Sequence, residues 1–169
     1  MRRNRTRVRR TLAEYAETPL QVLESAARVA SGVVNGVKMD STSIDLPGSE
    51  VESIHYQDGR LTLRFSRALI VKTMTGSRQH TRWWQAGELI IDGASVDGDL
   101  PDCPCVCDGG DVGENIYTYR DMIPLPLASK GRSHCELRFQ GTERRLRVDG
   151  ESVTLNMEDR PHYIEHTRG

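Results

Sequence analysis

The sequence has no long apolar run and none of the short motifs that identify common enzymes. No stretch approaches the roughly 18 consecutive apolar residues of a membrane-spanning helix, which argues against a membrane protein. The patterns G-x-S-x-G, G-x-x-x-x-G-K-[ST] and G-x-G-x-x-G are missing, so a hydrolase elbow, a P-loop and a dinucleotide fingerprint are not supported. Aromatic residues make up only 5% of the chain. These absences favour a protein that is not an enzyme.

Length and charge are those of one soluble domain. The chain has 169 residues, of which 37% are hydrophobic and 28% charged, and its net charge is −1. This length is sufficient to close one core without metal or disulfide staples. Glu14, Glu17 and Glu24 interrupt the segment that follows the basic N-terminus, where a secretory signal needs an apolar region. We therefore expect a cytoplasmic protein with reduced cysteines.

Charge is nevertheless divided along the chain. Residues 1–10 contain six arginines and no acid, whereas residues 89–119 contain seven acids and no lysine or arginine. The basic arm consists of Arg2, Arg3, Arg5, Arg7, Arg9 and Arg10. Three interpretations are open: a solvated, mobile arm, docking on the acidic segment within the chain or in a second copy, or binding to nucleic-acid phosphates.

The pattern of apolar residues predicts one helix followed by an antiparallel sheet. Thr18-Pro19-Leu20-Gln21 is typical of a helix start, and helical spacing continues over residues 18–31. From about residue 40 to residue 166 the period changes to two, and Asp-Gly pairs beginning at 58, 92, 97, 108 and 149 predict turns. Strands are predicted at 50–57, 60–73, 81–91, 94–98, 115–123, 133–139, 143–149, 151–157 and 162–166. The expected fold is mainly β (α+β): a single domain over 11–169, with the helix packed on a barrel or sandwich of about eight or nine strands.

A long acidic loop is predicted at residues 100–113, and it contains most of the cysteines. Cys103, Cys105 and Cys107, with Cys135 from a strand, are candidate zinc ligands, because thiolates are soft donors suited to zinc. The chain lacks the Cys-x2-Cys pairs of common zinc knuckles, so two alternatives stay open: compact structural side chains, or a redox-active thiol. His134 and Cys135 are adjacent in a strand and should face opposite sides of the sheet.

Adjacent tryptophans indicate a binding surface. In a strand Trp83 and Trp84 face opposite sides, and the phase of Leu89 and Ile91 puts Trp83 inside and Trp84 outside. An exposed Trp84 beside Arg82 and Arg78 would be a contact anchor, and the alternative is a Trp84 packed under a loop or the helix. A second basic surface is predicted from three arginines of one hairpin, Arg138, Arg145 and Arg147, with acids among them.

These features predict a non-catalytic binding or assembly module. Its partner would be another protein or a second copy, or else a small ligand held inside the barrel. An association module predicts a filled core and an apolar patch around Trp84, whereas a ligand barrel predicts a cavity with a few polar groups. The main alternative is a zinc-binding protein or metalloenzyme that uses Cys103, Cys105 and Cys107, and nucleic-acid binding through the arm is third. Apart from zinc, we expect no cofactor, and we expect no membrane partner.

Overall fold

A computed structural model describes residues 33–34, 37–38 and 40–168 of the protein. The first two segments are the short strands β1 (Val33–Val34) and β2 (Val37–Lys38), which pair antiparallel with each other. The predicted helix at 18–31 and the basic arm lie outside the described residues. Within residues 40–168 all regular structure is β, and no helix there is long and apolar enough to cross a membrane.

Ten strands follow along residues 40–168. They are β3 (Ser41–Gln57), β4 (Arg60–Thr73), β5 (Gln79–Asp92), β6 (Ser95–Asp97), β7 (Cys105–Glu114), β8 (Tyr117–Arg120), β9 (Met122–Pro124), β10 (Ala128–Phe139), β11 (Arg145–Met157) and β12 (His162–Arg168).

Six of these strands close into an antiparallel barrel. The hydrogen-bonded order is β5, β4, β3, β7, β10 and β11, and β11 returns to β5. The other strands attach singly: β12 to β5, β6 to β11, β8 to β7 and β9 to β3. The mainly β, antiparallel fold predicted from the sequence is therefore confirmed, and of the two predicted architectures the barrel is the one observed.

Side chains of alternate residues fill the barrel interior. In β4, Leu61, Leu63 and Phe65 are fully buried, and Leu63 pairs across the sheet with Leu89 of β5. The strand period of two predicts this pattern. The remaining interior residues of the barrel strands include Ile91, Cys107, Val112, Cys135, Leu137, Leu146, Val148, Val153 and Leu155, all at most 8% exposed.

Turn chemistry fixes the first hairpin. Asp58 and Gly59 join β3 to β4 with φ angles of +51° and +73°. Two successive positive φ angles are those of a type I′ turn, whose twist matches that of the flanking strands. The Asp-Gly pair therefore turns the chain here as the sequence predicts.

The predicted loop at 100–113 is wrong over most of its length, because residues 105–114 form the barrel strand β7. Glycine has a low strand propensity, so the glycines of this segment argue against a strand when only the sequence is considered. The folded strand nevertheless requires them. A Cβ on Gly110 would lie 2.1 Å from the carbonyl oxygen of Glu136, and one on Gly113 would lie 1.8 Å from the ring of His134. The glycines thus allow β7 and β10 to approach closely.

Two predicted strands, 143–149 and 151–157, are a single strand, β11. Asp149-Gly150 does not turn the chain; a Cβ on Gly150 would lie 2.3 Å from Ile91 Cγ2. Near this glycine β11 passes from pairing with β6 to pairing with β5. Gly150 therefore permits close packing at a corner of the barrel. The spacing of the sequence alone predicts a hairpin turn at this position.

Two further predicted boundaries also differ. The predicted strand 115–123 is divided into β8 and β9 by Asp121, whose φ is +56°. The strand predicted at 50–57 begins at Ser41, because a register shift accommodates Pro47 and Gly48 within β3. The buried Ser49 hydroxyl bridges this irregularity: it donates to the Asp45 carbonyl at 2.6 Å and accepts from the Leu69 amide at 2.9 Å.

Candidate functional site

Part of the sheet extends beyond the closed barrel. Three neighbouring strand segments of this extension are 68–73 of β4, 79–85 of β5 and all of β12, and we call them the ribbon; on the other side of β4 the sheet continues with 41–45 of β3. The second half of β5 pairs with β11 as part of the barrel, whereas its first half pairs with β12. Among the described residues, β5 is the only strand that pairs with β12. One edge of the ribbon is thus β12, whose second side pairs with no other described strand.

Trp83 lies on the face of the ribbon that continues the barrel interior. It is half-buried and packs against the hydrophobic core, so the predicted inward placement is confirmed. The ring of Tyr163 in β12 meets it edge to face at a centroid distance of 5.2 Å, and Lys72 Nζ lies 4.5 Å from the ring centroid. Both contacts join a neighbouring strand to β5.

Trp84 lies on the opposite face and is half-buried there. The ring of His162 stacks on it at 4.2 Å with an interplanar angle of 14°, and the guanidinium carbon of Arg67 lies 5.7 Å from the ring centroid. Stacked and cation–π contacts each contribute about 1 kcal/mol beyond area burial. Trp84 thus fastens β12 to β5, and its role as an anchor for a partner stays a prediction.

The two arginines predicted beside Trp84 occupy different places. Arg82 lies on the same face as Trp84 and pairs with Glu165 of β12 at 3.3 Å. Arg78 is exposed in the turn before β5, six residues from Trp84, or about 20 Å along an extended strand. Arg67, which the sequence analysis did not single out, takes the position near the ring instead.

A local charge pattern could have revealed these additional residues. Residues 59–87 contain six basic residues and no acid: Arg60, Arg64, Arg67, Lys72, Arg78 and Arg82. Strand pairing supplies acids from elsewhere in the chain, so that Arg64 binds Glu52, Glu88 and Glu158 at 2.7 to 3.1 Å. The basic run is therefore largely paired across strands.

The predicted basic hairpin surface carries both charges. Arg138 lies opposite Arg145 and Glu136 opposite Arg147 across β10 and β11, with the apolar residues of these strands turned inward. Arg145 contacts Glu136 at 3.0 Å, and Arg138 contacts Asp121 at 3.4 Å. These residues lie near the start of β11, while its far end meets β5. The structure does not bring them to the ribbon, and their binding role stays a prediction.

The four cysteines form two pairs of different character. Cys103 and Cys105 are half-buried, with their sulfur atoms 3.8 Å apart. Cys107 and Cys135 are 0% and 2% exposed in the core. Cys135 faces inward while His134 lies on the other side of β10, where its Nε2 is 3.4 Å from the Thr118 hydroxyl. The alternation predicted for His134 and Cys135 is therefore present.

Burial keeps the inner thiols protonated. Burial raises the pKa of Cys135 to about 12 and also raises the pKa of Cys107, with neighbouring thiols adding to the effect on Cys107. Within residues 40–168, no group of three or more His, Cys, Asp or Glu side chains is placed to hold a metal ion. The zinc site formed by these cysteines stays a prediction.

Among the residues that the structure describes, one acid is buried, and it lies at the end of β7. Glu114 is 6% exposed and accepts a hydrogen bond of 2.7 Å from the Tyr119 hydroxyl. Burial, together with this carboxylate, raises the pKa of Tyr119. The hydrogen bond therefore joins β7 to β8.

The predicted arm, Arg2 to Arg10, lies outside the described residues, so its docking and nucleic-acid interpretations stay predictions. Comparison with known proteins gives no assignment for the ribbon or for the chain: no family model, no curated protein and no solved structure matches it.

Proposed function

We propose that this protein is a non-catalytic assembly module that pairs with a second copy of itself along the outer edge of β12. The observation that carries the proposal is the pairing of β12 with β5 on one side only among the described residues. A strand edge exposes a row of backbone N–H and C=O groups, which form a template for another strand.

β12 differs from the other attached strands in length and support. β6 and β9 have three residues each and β8 has four, whereas β12 has seven. Short edges are a common protection against strand addition. The contacts of Tyr163 and His162 with Trp83 and Trp84, and of Glu165 with Arg82, keep β12 extended on the ribbon. Trp84 is a positioning residue in this proposal.

The charges along β12 permit a second copy as the partner. In a twofold antiparallel pair of the stretch 165–168, directly opposite residues lie on the same face of the sheet, so His166 can face its own copy while Glu165 faces Thr167. No two acids and no two arginines then lie directly opposite each other, and the backbone hydrogen bonds of the two edges supply the attraction. A register shift between Tyr163 and Glu165 limits regular pairing to the stretch after it. The expected interface is therefore short and of moderate affinity.

The filled interior favours association over ligand capture. Phe65, Leu89 and Leu137 occupy the centre of the barrel and are fully buried. A small ligand inside the barrel needs a cavity of several hundred Å³ with a few polar groups. The packing thus supports the first of the two predicted binding modes.

The test is the oligomeric state of the full chain, measured by sedimentation velocity over a hundredfold concentration range. We expect a reversible dimer. His166→Lys should weaken it at least tenfold, because two like charges then face each other across the twofold axis. His166→Gln is the matched control, since it also removes the contact of His166 with Tyr163 but adds no repulsion; it should weaken the dimer less.

Mixing two variants gives the decisive result. An equimolar mixture of His166→Lys and His166→Glu should restore a mixed dimer, because position 166 then pairs opposite charges across the interface. A wild-type monomer at every concentration refutes self-association. A dimer that His166→Lys leaves intact, but that deletion of residues 1–10 abolishes, refutes the β12 interface and supports docking by the arm.

A further inference from the structure

Two thiols lie in contact where the chain enters the barrel strand β7. The sulfur atoms of Cys103 and Cys105 are 3.8 Å apart, and both side chains are half-buried. Cys105 is the first residue of β7 and pairs with Val51, whereas Cys103 precedes the strand. One sulfur is therefore held by the barrel, and the other belongs to a segment outside the ladder.

We propose that Cys103 and Cys105 are a modification site that forms a reversible intramolecular disulfide with small-molecule disulfides as oxidants. A disulfide requires the sulfurs to approach to about 2.05 Å. They must therefore move together by roughly 1.8 Å from the observed 3.8 Å. Side-chain rotation at Cys103 supplies such a movement, since its backbone is not part of the β7 ladder. Partial exposure of both thiols gives the oxidant access.

The reaction proceeds in two exchange steps. The Cys103 thiolate attacks one sulfur of a small disulfide RSSR, so that a Cys103–SR bond forms, the S–S bond of the reagent breaks and RS⁻ leaves. The Cys105 thiolate then attacks the Cys103 sulfur and expels the second RS⁻. The two protein thiols lose two electrons, one RSSR gains them, and the two thiol protons end on the two RS⁻ products.

The surroundings of Cys105 indicate that its thiolate acts in the second exchange step. Burial, followed by the neighbouring Cys103, raises the pKa of Cys105 to about 12. A thiol that rarely ionises is a poor first nucleophile in solution. In the second step its target lies beside it, and proximity compensates for the small thiolate fraction.

The remaining cysteines provide an internal reference. Cys107 and Cys135 are at most 2% exposed, so a reagent reaches them only after the barrel opens. Native protein should therefore present two reactive thiols of four, and denatured protein all four. This difference does not depend on any substitution.

The test is intact-mass analysis of the full chain after incubation with oxidised glutathione at neutral pH. We expect a loss of about 2 Da, equal to two hydrogens, reversed by dithiothreitol. Peptide mapping should place the link between Cys103 and Cys105. Cys105→Ser should stop at a stable glutathione adduct on Cys103, Cys103→Ser should not react, and the matched core control Cys135→Ala should behave as the wild type.

Several results would overturn the proposal. These are a lasting glutathione adduct on wild-type protein, no reaction, a link that includes Cys107 or Cys135, or a disulfide between two chains. Phenylarsine oxide gives a second measurement, because it condenses with two neighbouring thiols and releases one water. We expect one equivalent bound by the native wild type and none by Cys103→Ser; equal binding by both refutes the pair.

Discussion

Replacing Gly110 by alanine should strongly destabilise the fold. Gly110 has a φ of +148°, which side chains of L-residues rarely adopt, and a Cβ there would lie 2.1 Å from the Glu136 carbonyl oxygen and 2.8 Å from Leu137 Cα. Backbone strain of this kind costs about 1 to 3 kcal/mol. Overpacking against atoms that cannot rotate away adds a similar amount. We therefore expect Gly110→Ala to lower the free energy of unfolding by about 4 kcal/mol.

Gly141 is the matched control for backbone conformation alone. Its φ is +73°, and no atom lies within 4 Å of a Cβ built on it. Gly141→Ala should cost about 1 kcal/mol, the penalty of a left-handed conformation. Urea unfolding followed by circular dichroism measures both variants, and equal m-values would show that the comparison concerns stability rather than the extent of unfolding.

The difference between the two variants tests the position of β7 in the barrel. If residues 100–113 formed an exposed loop, alanine at 110 would meet only solvent and cost no more than alanine at 141. A Gly110→Ala penalty at or below that of Gly141→Ala would therefore refute the close approach of β7 and β10. It would also remove the structural basis for holding Cys105 at the start of a barrel strand.

Two carboxylates should respond to pH with opposite signs. Burial raises the pKa of Asp45, with nearby Asp121 adding to this and Arg82 opposing it, so ionisation opposes folding. The penalty is absent below the ordinary value of 3.8 and complete above the raised folded value. Asp45→Asn should thus gain stability relative to wild type as pH rises from 3 to 7, and a constant difference would contradict this. Hydrogen bonds from Arg64 lower the pKa of Glu158, so its contribution is present above 4.5 and is lost as pH falls through the folded value. Glu158→Gln should therefore be less stable than wild type at pH 7 and converge with it in acid, as measured by urea unfolding at each pH; no convergence would exclude the ion pair as the cause.

The strands with regular alternation could be predicted from sequence, because the polarity of each of their residues indicates whether its side chain faces the core or the solvent. Leu61, Leu63 and Phe65 are buried, and the intervening residues are not, so period two identifies β4 directly. The inward direction of the Trp83 side chain could be predicted in the same way. It follows from counting back from Leu89 in steps of two, and the alternation within β5 is continuous because the extra residue of the register shift near Gly87 lies on β4.

β7 could not be predicted in this way, because the residues that explain its glycines lie in another strand. Gly110 and Gly113 have no side chains to show a pattern, and the reason for their presence is the backbone of Glu136 and the ring of His134 on β10. Asp149-Gly150 presents the same difficulty, since Ile91 of β5 explains the glycine. Glycine in a sequence signals either a turn or a close approach, and the choice depends on a neighbour that the local sequence does not name.

The candidate site, too, could be predicted only in part, because some of its residues come from strands that are distant in the sequence. Trp84 could be singled out, but the side chains that surround it, Arg67 and His162, come from two other strands. Their arrangement turns a predicted contact surface into a support for β12, which pairs with β5 alone among the described strands. In the self-association proposed above, the adjacent tryptophans do not themselves form the contact: they hold one side of β12 against β5, and the proposed second copy pairs with its other side.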